Sequence, residues 1–551
     1  MQKIPAVDGF RGLLRNDAAA LAVYSEAAGI GQILPRAVAV PGDADDVAAL
    51  VKWAVEHRMP LVPRGSGSSM AGGAIGDGMI VDLSRLRTLG VVDVRTRTIR
   101  CGPGVLRDEV DAAARAVGLC FPVDPSSGAF CTIGGMAATN AAGAHTMRYG
   151  STRPWVEALD CVFADGSRAE IRRGTPVPDL AAVRRFMAVA PALIEGERAS
   201  PSRHHVRKES SGYALADFAE SGELVDLLVG SEGTLAIIVG LELRLAPVLP
   251  FTASILGAFA SLNDAVAGAG EARAANASCC ELLDRTFLDV ARRGGVNVPV
   301  AGDTEAVLLA EVEGVSRVEC EAAARDLASR FTAASAVSVA VALDPDTERE
   351  MWELRHAASP ALSRLDPSLK SMQFIEDGCV PPDRLAEYVN GVRAALGAQG
   401  IRGVIFGHAG DAHVHVNPLV DVAAPDWRVR VEALLADVTR LTATLGGTLS
   451  GEHGDGRLRA PLLPFVWPAD VIERFASVKR AFDPEGQLNP DAKLSAPGAS
   501  AIGHVKYDPL ATPLPAAARA ALDRVERERA YGRLRLDLLA DIELDGAKRR
   551  R

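Results

Sequence analysis

Pro63-Arg64-Gly65-Ser66-Gly67-Ser68-Ser69-Met70-Ala71-Gly72-Gly73 follows the apolar Pro60-Leu61-Val62 and leads to a second apolar run, Met79-Ile80-Val81-Asp82-Leu83. Glycines remove the side chains that hold a backbone away from a phosphate. Successive N–H groups in turn conformations then form a concave nest for anionic oxygens. This is not a Walker loop, because no Gly-Lys-Ser/Thr follows, and its Gly-x-Gly does not open a helix as the Rossmann fingerprint requires. Taken alone, the loop is equally compatible with a surface turn.

A second small-residue stretch argues against a plain turn: Pro125-Ser126-Ser127-Gly128-Ala129-Phe130-Cys131-Thr132-Ile133-Gly134-Gly135-Met136, continuing to Gly143. Leu228-Val229-Gly230-Ser231-Glu232-Gly233-Thr234-Leu235 is a third. In this order and spacing the three resemble the FAD-binding domain of the vanillyl-alcohol-oxidase-type flavoproteins. Within them the chain looks like the 2-hydroxy-acid dehydrogenase branch, which includes D-lactate and D-2-hydroxyglutarate dehydrogenases and the flavin subunits of glycolate oxidase. The resemblance runs from about residue 36 to 493. It implies an α+β fold, a two-part FAD-binding domain joined to an α+β cap domain with an antiparallel sheet.

A chain of 551 residues exceeds what one core usually supports, so two or three domains are expected. No apolar run reaches the roughly 18 residues of a membrane span and the N-terminus has no signal-like core, which points to a cytoplasmic protein, with peripheral membrane contact still open. Eight cysteines without a Cys-x-x-Cys pair read as reduced and structural. A formal net charge of −10 excludes nucleic-acid binding as the main activity.

Asp43 ahead of Asp45-Asp46 and Val47 to Val51 predicts a helix start, and Asp165-Gly166 predicts a hairpin turn. Leu235 to Val239 and Leu241 to Leu245 read as two strands, and Pro247 to Pro250 punctuates the chain. From there to about 480, strands alternate with amphipathic helices, predicting an antiparallel sheet with helices on one side. The expected organisation is an FAD-binding domain (1–247), a substrate or cap domain (248–480), a return segment (481–493) and a helical tail (494–551), the tail a solvated helix with a basic end.

The resemblance implies that FAD is held by backbone amides of Arg64, Gly65, Ser66, Gly67 and Ser68 and of Thr132 to Gly135, including Gly134. Pro125 belongs to the same motif, and the Thr132 hydroxyl and Asn140 are the implied side-chain donors. Gly143 and Tyr149 are placed beside the isoalloxazine, Ile238 at its pyrimidine edge and Asn489 in the return segment, where Asp491 departs from the family's glycine. Ser68 stands where some relatives carry a flavin-linked histidine, so attachment should be non-covalent.

In Gly407-His408-Ala409-Gly410-Asp411-Ala412-His413-Val414-His415-Val416-Asn417, strand alternation points His413, His415 and Asn417 one way and Val414 and Val416 into a core. With Ser450-Gly451-Glu452-His453, this cluster resembles a site for zinc, manganese or iron with open positions. The family pattern implies His408, His415 and Glu452 as ligands, His453 as base and Arg355 as the carboxylate-binding cation. Lys370 is a second candidate cation, and His413 replaces an asparagine of the relatives.

These residues lead to an expected FAD-dependent oxidation of a D-2-hydroxy acid, with electrons passed to a separate quinone, electron-transfer protein or iron–sulfur subunit, and with an oligomer possible. Alternatives are an alkylglycerone-phosphate-synthase-type transferase and a non-catalytic flavin subunit.

Overall fold

The computed structural model describes residues 4–201, 205–295, 297–356 and 368–548. Three short strands, Ala37–Val40, Met79–Asp82 and Leu61–Arg64, run parallel, with Leu13–Arg15 antiparallel at the edge. Alternate side chains face opposite ways, and both faces are covered, which explains runs apolar at nearly every position. One face packs Ala37, Ala39, Met79 and Val81 against Val47, Leu50 and Val51 of the helix Ala44–His57, whose first turn is capped by Asp43. The other face, Val38, Val40, Val62 and Ile80, meets the short helix Ala18–Val23 and, from the far end of the chain, Ala516–Glu528 and Arg535–Lys548.

That contact overturns the expected solvated tail. Ala518, Ala521, Leu522 and Val525 form an i, i+3, i+4, i+7 stripe and are buried, while the charged residues between them face outward. The basic end, residues 549–551, lies outside the described residues.

A second sheet orders Thr98–Cys101, Ile237–Arg244, Val156–Val162 and Arg168–Arg172, all antiparallel, with Gly166 in the left-handed turn at φ 75°. The two strands expected between 235 and 245 are one: pairing shifts register between Asp160, opposite Gly240, and Cys161, opposite Ile238, so the chain passes a bulge at Val239 instead of ending the strand.

The second domain is built on an antiparallel sheet in the order Ala336–Ala342, Phe251–Phe259, Ala306–Gly314, Cys279–Asp284, Arg402–His408, His413–Asp421 and Leu369–Ser371. Its helices cover both faces, not one. Leu262–Ala274, Arg317–Ala333, Leu385–Ala398 and Trp427–Thr444 pack on Ile255, Leu308, Val414 and Val416. Arg285–Arg293 and Pro345–His356 pack on Leu256, Leu283, Leu309 and Val404. Strand parity therefore puts Glu281, His408, His413, His415 and Asn417 on the second face, on the side turned to the first domain.

The chain re-enters the first domain earlier than expected. Val471, Phe475, Val478 and Phe482 of the helix Ala469–Phe482 lie in the core with Phe163, Phe186 and Phe218, while Leu61 donates to Gln487 O and Asn489 N–H donates to Leu61 O. No described helix is long and apolar enough to cross a membrane.

Candidate active site

A cavity of about 960 Å³ runs between the two domains, within the size range of ligand sites. Arg64, Gly65, Ser66, Gly67 and Ser68 form one wall. Among the described residues no acceptor takes the N–H groups of Gly65 to Ser68, and all four residues line the cavity. Gly67 is obligatory twice over: φ is 72°, and a Cβ there would sit 2.3 Å from Arg64 Nη2. The Arg64 side chain turns back beneath the loop, donating to Ala74 O at 3.2 Å and lying 5.3 Å over the Tyr24 ring, with Nη2 buried and unpartnered. Unpaired amides above a buried cation suit a diphosphate, and the cavity therefore fits a dinucleotide.

The second loop contributes differently from the expectation. Pro125, Thr132, Gly134, Gly135 and Gly143 line the cavity, as does Ile238. Yet Gly134 N–H donates to Pro103 O and Gly135 N–H to Thr132 Oγ1, because Thr132 caps the helix Ile133–Thr139. Those amides are already bonded, so the loop contributes cavity wall and not those backbone donors.

Three further residues are not in the lining. Asn140, left-handed at a helix end, accepts the Arg153 N–H at 2.9 Å. Tyr149 donates its hydroxyl to Glu313 at 2.8 Å across the domain junction. Asn489 donates to Gly73 O and Glu232 O, holding the return segment against the loop. The Tyr149 hydroxyl and the Asn489 amide are spent on protein partners, and Asn140 gives its oxygen to one. Lys370 also lies off the cavity, paired in a short edge strand and 5.8 Å from the Tyr507 ring.

On the opposite wall His408, His415, Asn417, Glu452, His453 and Arg355 all reach the cavity. Each histidine has one ring nitrogen anchored outward. His408 Nδ1 donates to Glu281 at 2.5 Å and His415 Nδ1 to the Glu376 carbonyl at 2.8 Å, which turns the two Nε2 atoms toward each other at 3.3 Å. That separation is about the edge of a tetrahedron with metal–nitrogen bonds of ~2.0 Å. Glu452 Oε1 lies 3.6 and 3.3 Å from the same two nitrogens, while its Oε2 accepts Lys208 Nζ at 3.1 Å.

His413, completely buried, gives Nε2–H to Asp377 at 2.8 Å and leaves Nδ1 unpartnered. His408, His413, His415 and Glu452 thus bring one ligand atom each within 4.8 Å of one another. Outer carboxylates that fix the tautomer and leave inward lone pairs are the usual surroundings of metal-binding histidines. The donor set fits a divalent cation.

Burial alone would raise Glu452, but Lys208 and the histidines hold it well below the ordinary carboxylate range. Burial drives His413 down to about 3. It also opposes protonation of His408 and His453, yet Glu281 pushes the first up to about 8, and Asp377 with Glu376 pushes the second up to about 9. Arg355 donates Nε to Glu281 at 2.6 Å and rests 4.7 Å over the Phe406 ring, and among the described residues no hydrogen-bond partner takes its terminal nitrogens.

Sequence reading missed the residues that hold this site. Glu281 joins Arg355 to His408. Asp377 accepts His413 Nε2, the His453 N–H and Ser450 Oγ, and Arg459 pairs with Glu376 beside it. Lys208 links Glu452 to the Gly143 carbonyl, and His145 bridges Asp124 and Glu311 across the domains. They lie in stretches without a motif of their own, recognisable only as acids and bases that the fold makes internal.

Comparison with known proteins agrees with this architecture. Residues 35–172 match the family "FAD binding domain", and residues 250–492 match "FAD linked oxidases, C-terminal domain". The chain is 30% identical to the D-2-hydroxyglutarate dehydrogenase of Pseudomonas putida over 95% of its own length but 54% of that protein's, so it spans about half of that relative. It is 30% identical to glycolate oxidase subunit GlcD of Bacillus subtilis, covering 83% of this chain and 89% of that one, and 30% identical to the D-lactate dehydrogenase of Archaeoglobus fulgidus, covering 83% and 92%. The solved 4-ethylphenol oxidase of Gulosibacter chungangensis shares the fold at TM-score 0.65 and 16% identity, over 88% of this chain and 94% of that chain. The chain belongs to the FAD-linked oxidase family, in the branch of D-2-hydroxy-acid dehydrogenases, with the two-domain fold of the vanillyl-alcohol-oxidase type.

Proposed function

We propose that this chain oxidises a small D-2-hydroxy acid of the D-lactate, glycolate or D-2-hydroxyglutarate class to the 2-oxo acid. What supports it is the convergence on one cavity of an unpaired glycine-loop amide nest, an aimed arginine and a buried His/Glu cluster. When bound, FAD supplies the hydride acceptor and a divalent metal (zinc, manganese or iron) supplies a Lewis acid. His408, His415 and Glu452 would hold the metal, and the Gly65–Ser68 amides would hold the diphosphate of non-covalently bound FAD.

Arg355 takes the substrate carboxylate with its terminal nitrogens, and Asn417 orients the hydroxyl. His453, the most open of the four histidines here, accepts the hydroxyl proton at Nε2. Its Nδ1 stays donated to Glu376 at 3.2 Å, which fixes the tautomer for that task. Asp377, Glu376 and Glu452 favour the protonated His453 ring, and with the Glu452 charge offset by a bound cation the ring would lie nearer to working pH. The acceptor proposed for the electrons is a separate quinone, electron-transfer protein or iron–sulfur subunit. A transferase without net redox leaves the ligand cluster without a task.

Metal analysis beside anaerobic stopped-flow flavin reduction tests the assignment. His408→Ala should lose metal and activity together, whereas His453→Ala should keep metal and flavin while reduction slows by about 10²-fold. An inactive His408→Ala with full metal content, or a His453→Ala that reduces at the normal rate, sinks the corresponding role.

A further inference from the structure

The tail beyond residue 492, outside both matched family regions, reaches the cavity. Between its two helices the chain turns at Arg529, left-handed at φ 51°, and this turn places Arg529 and Tyr531 in the cavity lining. The Tyr531 ring lies 5.3 Å from the Phe130 ring of the second loop, tilted 32° to it, and the Arg535 guanidinium lies over the Tyr531 ring at 5.3 Å. Arg535 is 2% exposed and donates Nη2 to Ser66 O at 3.0 Å, with Nε buried and unpartnered. The tail is therefore bonded to the glycine loop itself.

These neighbours, Phe130 and Ser66, belong to the first domain, whereas Arg355, His415 and Asn417 come from the second. A flavin ring must lie beside the substrate-facing groups, so the tail meets the opposite half of the dinucleotide. A planar aromatic wall next to a cationic loop has the chemistry to take a purine ring and its phosphates.

We infer that the C-terminal helix pair is part of the cofactor site, with Tyr531 and Arg529 closing over the adenosine diphosphate half of FAD. The inference rests on the flavin reading above and adds a residue-level role for a segment that reads from sequence as a solvated helix.

The test uses full-length apoprotein titrated with FAD and, separately, with FMN, which lacks the adenylate, following flavin fluorescence. Tyr531→Ala should weaken FAD about 5- to 100-fold, the range for loss of one aromatic platform under a base, with FMN affinity unchanged. Tyr531→Phe should retain FAD affinity. If removing the ring disturbs the helix pair, Arg529→Ala, an exposed side chain, gives the same reading: FAD about two- to fivefold weaker and FMN unchanged. Unchanged FAD affinity in the Ala variants, or equal losses for FAD and FMN, overturns the tail's role. Wild-type protein that takes up no FAD overturns the flavin reading along with it.

Discussion

Glu281→Gln removes one charge and almost no volume from a carboxylate that is 1% exposed. In the native site that carboxylate accepts Arg355 Nε at 2.6 Å and His408 Nδ1 at 2.5 Å, and these partners hold it ionised below its ordinary range against the cost of burial. Each charge-assisted bond is worth about 1.5–3 kcal/mol net. The amide oxygen can still accept one neutral-strength bond, so one is weakened and one is lost. Arg355 keeps the Phe406 face, which moderates the penalty of an unpaired cation. Loss of an outer partner of a metal-binding histidine typically costs 10–100-fold in metal affinity, so the variant should release metal to a chelator buffer that leaves wild type loaded. Since the same carboxylate aims Arg355, KM for the hydroxy acid should rise in parallel. Bound metal measured across buffered free-metal concentrations, beside steady-state kinetics at saturating metal, reads both. Unchanged metal affinity together with unchanged KM would refute the idea that Glu281 couples the arginine to the ligand.

Gly67→Ala places a Cβ 2.3 Å from Arg64 Nη2 at φ 72°, so it should destabilise by about 2 kcal/mol or more and strip the flavin, seen as a lower Tm and a colourless preparation; a yellow protein of normal Tm would contradict the loop's packing. Burial pushes Cys101 and Cys379 up to about 12 and Cys131 up to about 11. The native protein should therefore show fewer than one thiol reactive to an aromatic disulfide at pH 8 and all eight in guanidinium, and two or more fast native thiols would show that the core is open.

Much of the site was legible because its chemistry is local. A glycine loop is recognised by residues that permit close approach and left-handed φ, and Gly65 and Gly67 do that wherever the loop lies. Period-two alternation put Val414 and Val416 in the core and His415 and Asn417 on the cavity face, and the Asp43 cap and Asp165-Gly166 turn are equally short-range. Partnership is different, because an amide or a charge satisfied inside the protein is unavailable to a ligand, and only packing decides which are spent. Asn140, Tyr149 and Asn489 carried suitable groups but met Arg153, Glu313 and Glu232 first. Glu281 and Lys208, with no motif of their own, gained roles from contacts 127 and 244 residues away. The tail was legible as a helix, but that Ala518, Ala521, Leu522 and Val525 form a buried stripe depends on a sheet built from residues 37 to 82 at the other end of the chain. The sequence by itself determined the local backbone and which way each strand residue points; the tertiary structure decided which polar groups remain free, because that depends on long-range partners competing for the same hydrogen bonds and the same buried surface.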